Sequence, residues 1–356
     1  MSHDNHPSNW HLQCPVPLTA DSKRITLAHG EGGRLMRRLI REHILSPLGN
    51  SVIHTMDDAG KIPAIDGPLA MTTDSFVVSP LFFPGGDIGL LSVYGTVNDL
   101  AVSGARPLYL TLSLILEEGL PLAILDCVMQ SILLAINKTG VQLIAGDTKV
   151  VPRGAADGMF INTTGIGQLI DPIPTGPSSL CVGDEILVTG PIGQHGIAVL
   201  CAREDFGMTP PPVSDSASLI RPCLLLREKL GTGLRAMRDA TRGGVAAVLH
   251  EWSEASGQSI TIIEKDVPVS SVVRGVCELL GLDPLHVANE GTMVIAVASC
   301  VAQQALEILR SIPETANVAR IGTVVPRRHS PVTILRTLGP EQPLDDPLGA
   351  PLPRIC

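Results

Sequence analysis

The sequence predicts a mixed α/β (α+β) protein of two domains, and three observations predict it. Strand-like aliphatic runs alternate with helical runs through both halves of the chain. Hydrophobic residues make up 44% of the 356 residues and charged residues 17%, which is the balance of a globular protein. Aromatic residues make up only 3%, so the cores must rest on Leu, Ile, Val and Ala, which suits buried strands.

The N-terminal half begins with a glycine-rich turn, HGEGG, that runs into a helix. Apolar residues recur at helical spacing after this turn, at Leu35, Leu39, Ile40 and Ile44. Strands and helices then alternate over about 150 residues, which is typical of an α/β domain. The predicted order is strands at 51–56 and 69–78, a helix at 86–105, a strand at 107–116, a helix at 122–140, and strands at 141–148 and 159–170.

The C-terminal half repeats the alternation after a segment rich in Pro, Gly and Ser, DPIPTGPSSLCVGD, which is the best domain boundary. We predict helices around 194–203, 215–230, 243–256, 270–281 and 302–312. The predicted strands are EILVTG, SITIIE, TMVIAVAS and VARIGTVV.

Composition divides the chain into four parts. The first residues are polar and lack helical periodicity, and five prolines fall in the last 17 residues. Such a tail, at about 3.1 Å per residue, reaches on the order of 50 Å and carries Cys356 on a semi-flexible arm, whose position inside or outside a pocket stays open. The predicted parts are a disordered extension over 1–22, α/β domains over 23–170 and 171–339, and a flexible Pro-rich tail over 340–356.

Charge and cysteine usage exclude several classes of function. The net charge of −9 and the lack of a basic run argue against nucleic acid as a partner. The sequence contains no run of about 18 apolar residues, which a membrane span would need, and the polar N-terminus carries no apolar signal core. We therefore expect a cytoplasmic protein. The eight cysteines form no CxxC pair, which argues against a zinc ribbon. The N-terminal His3, His6, His11 and Cys14 lack a frame that would fix metal geometry.

Acidic residues at the ends of apolar runs predict a Mg-nucleotide site. Carboxylates at strand ends point into loops where ligands are commonly bound. Converging acids repel one another unless a cation lies between them, and Mg²⁺ takes a few carboxylates and completes its shell with phosphate oxygens. Taken alone, each acid is as readily a turn former or a helix cap. The residues are Asp57, Asp58, Asp74, Asn98, Asp99 and Asp147.

Two glycine-bearing turns, each opening a helix, supply a candidate phosphate site. Glycine lets backbone N–H groups approach a phosphate closely, and a helix N-terminus favours an anion. Neither turn fits a P-loop or a dinucleotide fingerprint, and each is as readily a simple turn. The glycines are Gly30, Gly32 and Gly33 in HGEGG, and Gly243 and Gly244 in DATRGG, which starts at Asp239.

Five stretches and the last four residues resemble the hydrogenase maturation factors of the HypE family. That family belongs to the superfamily of aminoimidazole ribonucleotide synthetase, with thiamine monophosphate kinase and selenophosphate synthetase as relatives. The resemblance covers about residues 23–356; the superfamily shares the acidic motifs, whereas the closing PRIC is the family's own mark. The stretches are HGEGGRLMRRLI, TTDSFVVSPLFFPGGDIGLLSVYGTVNDLAVSGARPLYLTL, IAGDTKVV, DATRGGVAAVLHE and ANEGTM.

The resemblance implies an ATP-dependent carbamoyl dehydratase. HypF would place a carbamoyl group on the Cys356 thiol, and ATP would drive its dehydration to a thiocyanate. HypC and HypD would accept the cyano group for the iron of [NiFe]-hydrogenase. The resemblance also implies a two-domain fold like that of aminoimidazole ribonucleotide synthetase. Mixed sheets of two chains would pair into a barrel at a homodimer interface.

The resemblance also implies roles for individual residues. Cys356, Lys149 and Glu290 would be catalytic, with Glu290 as the candidate base. Without the resemblance, Glu290 is as readily an ordinary loop glutamate and Lys149 a solvated lysine. The α-carboxylate of Cys356 itself should raise the pKa of the thiol. Arg354 is expected to offset this rise or to dock the tail. We expect His250 to pack its helix and His286 to lie in a loop. ATP would contact Gly30, Gly32, Gly33, Asp58, Asp74, Asn98, Asp99, Asp147, Asp239, Gly243 and Gly244, and Mg²⁺ would bind Asp58, Asp74, Asp99 and Asp147. Whether Asp57 shares or exchanges that role with Asp58 stays open.

Two other functions remain open from the sequence. One is a superfamily kinase or synthetase acting on a small molecule, for which Cys14 invites comparison with selenophosphate synthetase. The sequence around Cys14 lacks the glycine, cysteine and lysine pattern of that enzyme. The other is a non-enzymatic thiol carrier, against which the acids, Lys149 and the RGG turn weigh.

Overall fold

A computed structural model describes residues 24–48, 57–204, 206–347, 349, 352 and 354–356. The predicted extension 1–22, the strand at 51–56 and Cys14 lie outside these residues. The N-terminal domain contains α1 (Arg34–Leu39), α2 (Ser46–Leu48), β1 (Leu69–Phe76), β2 (Phe82–Phe83), β3 (Gly86–Asp87), α3 (Ile88–Val102), β4 (Ala105–Glu117), α4 (Leu122–Thr139), β5 (Gln142–Val151) and β6 (Met159–Leu169).

The N-terminal sheet has four strands in the order β1-β6-β4-β5, with α3 and α4 packed on one face. Helix α3 begins at Asp87 because that carboxylate accepts hydrogen bonds from the N–H groups of Gly89 and Leu90, at 2.7 and 3.0 Å. The opposite face has no covering layer among the described residues, and the exposed fractions of Leu69 and Met71 there are 49% and 71%.

Helix α4 is the one described helix long and apolar enough to cross a membrane, judged by length and composition alone. Its buried residues, among them Leu125 and Met129, belong to the same hydrophobic cluster as the buried residues of α3 and β4. This packing is that of a core helix.

The C-terminal domain has a seven-stranded sheet in the order β13-β12-β9-β11-β7-β10-β8, antiparallel except where β12 runs parallel to β9. Its elements are β7 (Glu185–Val188), α5 (Gln194–Arg203), α6 (Ile220–Leu230), β8 (Leu234–Asp239), α7 (Gly244–Ser256), β9 (Ser259–Ile263), α8 (Ser271–Leu280), β10 (Met293–Val297), α9 (Ala302–Arg310), β11 (Ala319–Val325), β12 (Val332–Leu335) and β13 (Glu341–Pro343).

The structure differs from the sequence-based expectation at four places in this domain, one of which is strand β12, which was not predicted. The helix expected from residue 215 begins at Ile220, because 214–219 is held against the N-terminal domain by side-chain hydrogen bonds. Strand β8 was missed since LRAMRD reads as polar. Strand β13 lies inside the expected tail, and its pairing with β12 makes 341–343 part of the sheet. Within the described residues, neither the four-stranded sheet nor the seven-stranded sheet closes into a barrel.

Candidate active site

An acidic cleft lies where the two domains meet, built by β1, α3 and the end of β8. Asp74 accepts a hydrogen bond of 3.2 Å from Thr96 Oγ1, and Asp99 accepts one of 2.8 Å from Thr72 Oγ1. Burial and the neighbouring Asp99 charge raise the pKa of Asp74. Burial, and then the charge of Asp99, raise the pKa of Asp239 to about 7. The repulsion shows that these three predicted residues are brought together.

Glu290 completes this cleft from the C-terminal domain. Its side chain is only 3% exposed, and burial followed by the charges of Asp239 and Asp215 raises its pKa well above the usual value. The Asp215 carboxylate accepts hydrogen bonds from the N–H groups of Glu290 and Gly291, both at 3.1 Å. A Cβ at Gly291 would lie 1.8 Å from the Asp215 carbonyl oxygen, so this turn requires glycine. The arrangement suits a base of raised proton affinity.

Asn98 is placed in the cleft wall, but its amide is engaged by the protein. Its Nδ2 donates to the carbonyl oxygens of Ala217 at 2.9 Å and Glu290 at 3.3 Å. Its Oδ1 accepts from Leu219 N–H at 2.7 Å. In this structure the amide therefore joins the two domains, and its contact with a nucleotide stays a prediction.

The end of the chain lies inside the molecule, at the cleft. The sequence left open whether the tail rests inside or outside the pocket, and in this structure it rests inside: Ile355 is 5% exposed, and Cys356 packs against the N-terminal core. Backbone N–H groups of Val77 and Ser79 donate to the carbonyls of Cys356 and Arg354, at 3.0 and 3.4 Å. The tail thus pairs with the backbone just beyond β1, with Ile355 buried between the two paired residues.

Arg354 docks the tail, as one of its two expected roles required. Its guanidinium donates to the Val77 carbonyl oxygen at 3.2 and 3.3 Å, forms an ion pair with Asp157, and lies 5.9 Å from the centre of the Phe160 ring. Arg203 binds the same segment from α5, donating to the carbonyls of Ser79 at 2.8 Å and Arg354 at 2.9 Å.

The Cys356 thiol lies beside the acids and beside one cation. Burial, and then the charge of Glu290, raise its pKa to about 12, while the Arg242 charge opposes the rise. The expected direction of the shift is confirmed, but burial and Glu290 cause it, in place of the α-carboxylate. A cavity of about 180 Å³ next to the thiol is lined by Ser75, Arg242, Gly243, His286 and Ala288, among others. A small group on sulfur therefore has space in this cavity.

Three histidines bind carbonyl oxygens of the tail through Nε2. His250 and His286 lie 3.1 and 2.9 Å from the carbonyls of Leu344 and Asp345, and His195 lies 2.9 Å from that of Ile355. We expected His250 to pack its helix and His286 to lie in a loop, and the sequence did not predict that both would contact the tail. Leu344 is also buried and donates its N–H to the Val332 carbonyl. The arm that follows this anchor is therefore 346–356, with an extended reach of about 35 Å.

The remaining predicted acids lie at the other edge of the N-terminal sheet. Asp147 and Lys149 on β5 pair with Ser113 and Ile115 of β4, on the face that α3 does not cover. Their side chains are 57% and 66% exposed and lie 3.6 Å apart. A cavity of about 190 Å³ at this edge is lined by Asp57, Asp58 and Asp147 together with apolar residues of α1, α2, β4 and β5.

The four predicted Mg²⁺ ligands therefore form two pairs in one chain, Asp74 with Asp99 and Asp58 with Asp147. They separate because Asp74 points toward α3 while Asp147 lies on the far strand. Within the described residues, no three His, Cys, Asp or Glu side chains are grouped to hold a metal ion. A carboxylate pair still fits Mg²⁺, which commonly takes one or two carboxylates and completes its shell with phosphate oxygens and water.

The two glycine turns differ in what surrounds them. Gly32, with φ of +72°, and Gly33 have open space where a Cβ would be, and a Cβ at Gly30 would lie 3.0 Å from that of Val150. Gly243 and Gly244 open α7 with φ of +75° and +61°, and a Cβ at Gly244 would lie 2.5 Å from the Leu285 carbonyl oxygen. The first turn is open to a ligand, whereas the second is required by packing.

Sequence reasoning missed four residues that shape the site. Arg242 stands within the quoted DATRGG, so its position next to the glycines was available as a signal. Asp215 and His195 act through backbone groups far away in sequence, which no local pattern reveals. The fourth is Arg203.

Comparison with known proteins agrees with this geometry. Residues 56–169 and 182–334 match the N-terminal and C-terminal domains described as AIR synthase related protein. The carbamoyl dehydratase HypE of Escherichia coli (strain K12) is 45% identical over 337 residues, which are 93% of this chain and 99% of that protein.

Two solved structures resemble the fold closely. A crystal structure of HypE in complex with ATP gives a TM-score of 0.88 at 43% identity, covering 93% of this chain and 99% of that chain. A crystal structure of a HypE–HypF complex gives 0.76 at 42% identity, covering 88% of this chain and 100% of that chain.

Proposed function

Because this chain belongs to the HypE family of carbamoyl dehydratases, as its motifs predicted, we propose that it dehydrates a carbamoyl group carried on the Cys356 thiol. The enzyme uses ATP, and the resulting S-cyanate supplies cyanide ligands during hydrogenase maturation. The observation that carries this proposal is the position of the last residue, whose thiol lies beside the buried Glu290 in a cleft with room for a small group.

The described residues suit the proton transfers of this reaction. Dehydration of S-carboxamide to S-cyanate removes both protons from the amide nitrogen and the oxygen from carbon. Glu290, with its raised proton affinity, is positioned as the base for the nitrogen protons. The Asp215 carboxylate accepts hydrogen bonds from the N–H groups of Glu290 and Gly291. These bonds fix the backbone of Glu290, so that the Glu290 carboxylate meets the tail in one geometry.

Phosphoryl transfer from ATP, with release of ADP, would turn the carbamoyl oxygen into a phosphate leaving group, and bound Mg²⁺ would supply positive charge for the phosphates. The open turn at Gly30, Gly32 and Gly33, with Asp58 and Asp147, would hold part of the nucleotide. Asp74 and Asp99 would hold Mg²⁺ near the thiol, since a cation relieves the repulsion that helps to raise the pKa values of Asp74 and Asp239. The Arg242 charge favours phosphate at the same place.

A homodimer formed through the uncovered sheet faces would unite the two acid pairs. Leu69, Met71 and Ile115 are 49, 71 and 38% exposed on that face, an unusual apolar surface for a sheet. Pairing two such sheets face to face would build the barrel expected from the resemblance. It would also give Lys149, which has no role in its own cleft, access to the partner's cleft.

The variant Met71→Arg tests this dimer by light scattering during gel filtration. We expect half the native mass for the variant and unchanged mass for Met208→Arg in the other domain. A native protein that runs at 37.5 kDa would contradict the dimer.

The proposed partners follow the same chemistry. A HypF carbamoyltransferase would load the thiol, and a HypC–HypD iron scaffold would accept the cyano group. The reaction belongs in the cytoplasm, where reducing conditions keep the Cys356 thiol free.

Intact mass and C-terminal peptide mass, measured after incubation with Mg-ATP, carbamoyl phosphate and a HypF protein, test the function. We expect one carboxamide on Cys356 and then an ATP-dependent loss of one water, with no change at the exposed Cys181 or Cys300. ATP turnover on a small molecule with Cys356 unmodified would instead indicate the kinase or synthetase reading. Loading without loss of water would indicate a non-enzymatic carrier.

A further inference from the structure

His195 is a fully buried histidine that connects the tail to the C-terminal domain. It lies on α5, its side chain is 0% exposed, and its ring meets the Phe83 ring edge-on, with centres 5.3 Å apart. Nε2 is 2.9 Å from the Ile355 carbonyl oxygen, and Nδ1 is 2.9 Å from Ser214 Oγ. Because a carbonyl only accepts, Nε2 carries the proton, and the neutral ring accepts the Ser214 hydroxyl at Nδ1. Burial lowers the pKa of His195, in agreement with a neutral ring.

The contact sits one peptide bond from the thiol. Ile355 immediately precedes Cys356, so fixing its carbonyl fixes the plane of the peptide that carries the terminal residue. The Val77 N–H holds the Cys356 carbonyl from the opposite side, at 3.0 Å. Two protein groups from different domains thereby fix the backbone of the residue that carries the thiol.

The same histidine reaches the candidate base through a short loop. Ser214 binds Nδ1 of His195, and its Oγ also accepts the N–H of Ser216 at 3.1 Å. Asp215, between them, accepts the N–H groups of Glu290 and Gly291. One loop of three residues therefore holds both the histidine that binds the tail and the turn that carries Glu290.

We propose that His195 is a positioning residue that latches the tail through the Ile355 carbonyl and aligns the Cys356 thiol with Glu290. The consequence for dehydration rests on the proposed function, but the latch itself does not. His250 and His286 bind upstream of the arm at Leu344 and Asp345, so they hold its base, and His195 holds its end. Release of the end for loading then requires breaking the His195 contact, whereas dehydration requires making it.

The test compares two amide variants of the full-length protein. The Asn side chain in His195→Asn reaches about as far as Nδ1 and can serve Ser214, whereas the longer His195→Gln can place an N–H where Nε2 lies. Iodoacetamide alkylation of Cys356, followed by mass spectrometry of the C-terminal peptide, reports how often the thiol leaves its site. We expect His195→Asn to react about tenfold faster than native protein and His195→Gln to react within twofold of it.

A control and a second pair keep the test decisive. His250→Asn, which removes a contact upstream of the arm, should leave the alkylation rate within twofold of native. If His195→Asn does not fold, Ser214→Ala, which frees the ring, should accelerate alkylation while Ser216→Ala does not. Equal acceleration by both His195 variants, no acceleration by either, or equal rates for the two serine variants would overturn the latch.

Single-turnover kinetics separate the latch from a general structural role. In His195→Asn we expect dehydration of the carbamoylated tail to slow about tenfold, while loading by the carbamoyltransferase is unchanged or faster. Equal slowing of both steps would overturn the positioning role. If native protein shows no dehydration, the proposed function fails, and the alkylation comparison still decides the latch.

Discussion

The carbonyl oxygen of Cys356 accepts a hydrogen bond of 3.0 Å from the N–H of Val77, one residue after strand β1 ends. Asp74 lies on that same strand, two residues before its end. The strand that supplies an acid to the cleft therefore also supplies the backbone that receives the carrier. Any shift of β1 would move the acid and the thiol together, which preserves their spacing during the reaction.

The docked thiol should react slowly and with an unusual pH dependence. Burial and the Glu290 charge raise its pKa to about 12, from 9.0 for a free cysteine, so its thiolate fraction at pH 8 is lower by a factor on the order of 1,000. The rate of Cys356 alkylation should then rise about tenfold per pH unit from pH 7 to 9.5. A plateau near pH 9 would show that the thiol has the pKa of a free cysteine and does not rest in the cleft.

Replacing Glu290 by Gln should remove the base and leave the fold intact. Gln matches the shape of Glu and carries no charge, so it avoids the cost of burying a carboxylate. We expect the single-turnover dehydration rate to fall by 10²-fold or more, with carbamoyl loading and ATP affinity within about threefold of native. Thermal unfolding should occur at the native temperature or above. A dehydration rate near native would remove Glu290 from the role of base.

Stability should depend on pH through Asp87, the N-cap of α3. Burial raises its pKa to about 6, against 3.8 for the unfolded chain. Because folding raises its pKa, Asp87 stabilises the folded state below pH 3.8, and this stabilisation is lost as the pH rises to about 6. The Asp87→Asn variant keeps the cap and avoids the buried charge, so its advantage in unfolding free energy should grow over this window and then level off, reaching up to about 3 kcal/mol.

Urea unfolding of native and Asp87→Asn protein at pH 4.5 and 7.5 measures this difference. Asp87→Ala, which loses the cap, serves as control and should lose about 1 kcal/mol relative to Asn at both pH values. A native-to-Asn difference that is the same at both pH values would contradict the assignment.

The two glycine turns should respond differently to alanine. Gly33 has φ of −81° and open space around its Cβ position, so Gly33→Ala should keep the native unfolding temperature while weakening ATP binding about tenfold in calorimetry. Gly244→Ala places a Cβ 2.5 Å from a carbonyl oxygen at φ of +61°, so it should lower the unfolding temperature markedly. Unchanged ATP affinity in Gly33→Ala would exclude a close phosphate approach there.

The regular elements were largely predictable, because long aliphatic runs decide them. The predicted helix at 122–140 matches α4, which ends at Thr139 because Gly140 adopts a left-handed conformation. Strand β8 was not predictable from its pattern, since Arg235 and Arg238 interrupt the short sequence LRAMRD. Strand β13 falls within a Pro-rich segment and forms only because β12 offers a free edge.

The site was predictable in its residue types more than in its assembly. Asp74, Asp99, Asp239 and Glu290 meet as expected from the motifs, but the sheet separates them from Asp147. Alternation along a strand decides which face a residue takes, and the sequence did not tell which face α3 would cover. The contacts of His195 and Asp215 join residues 160 and 75 positions apart, so only the folded chain brings them together.

The anchoring of the tail at Leu344 turns the carrier into a tethered reactant. Residues 346–356 form an arm of about 35 Å at full extension, so a released thiol remains confined to a small volume around its own cleft. A tether of this length corresponds to an effective concentration on the order of millimolar. Return of the loaded thiol is thus intramolecular and independent of protein concentration. A carbamoyltransferase must instead bring its own active site within reach of the arm, which makes docking between the two proteins, and not capture of a free tail, the concentration-dependent step.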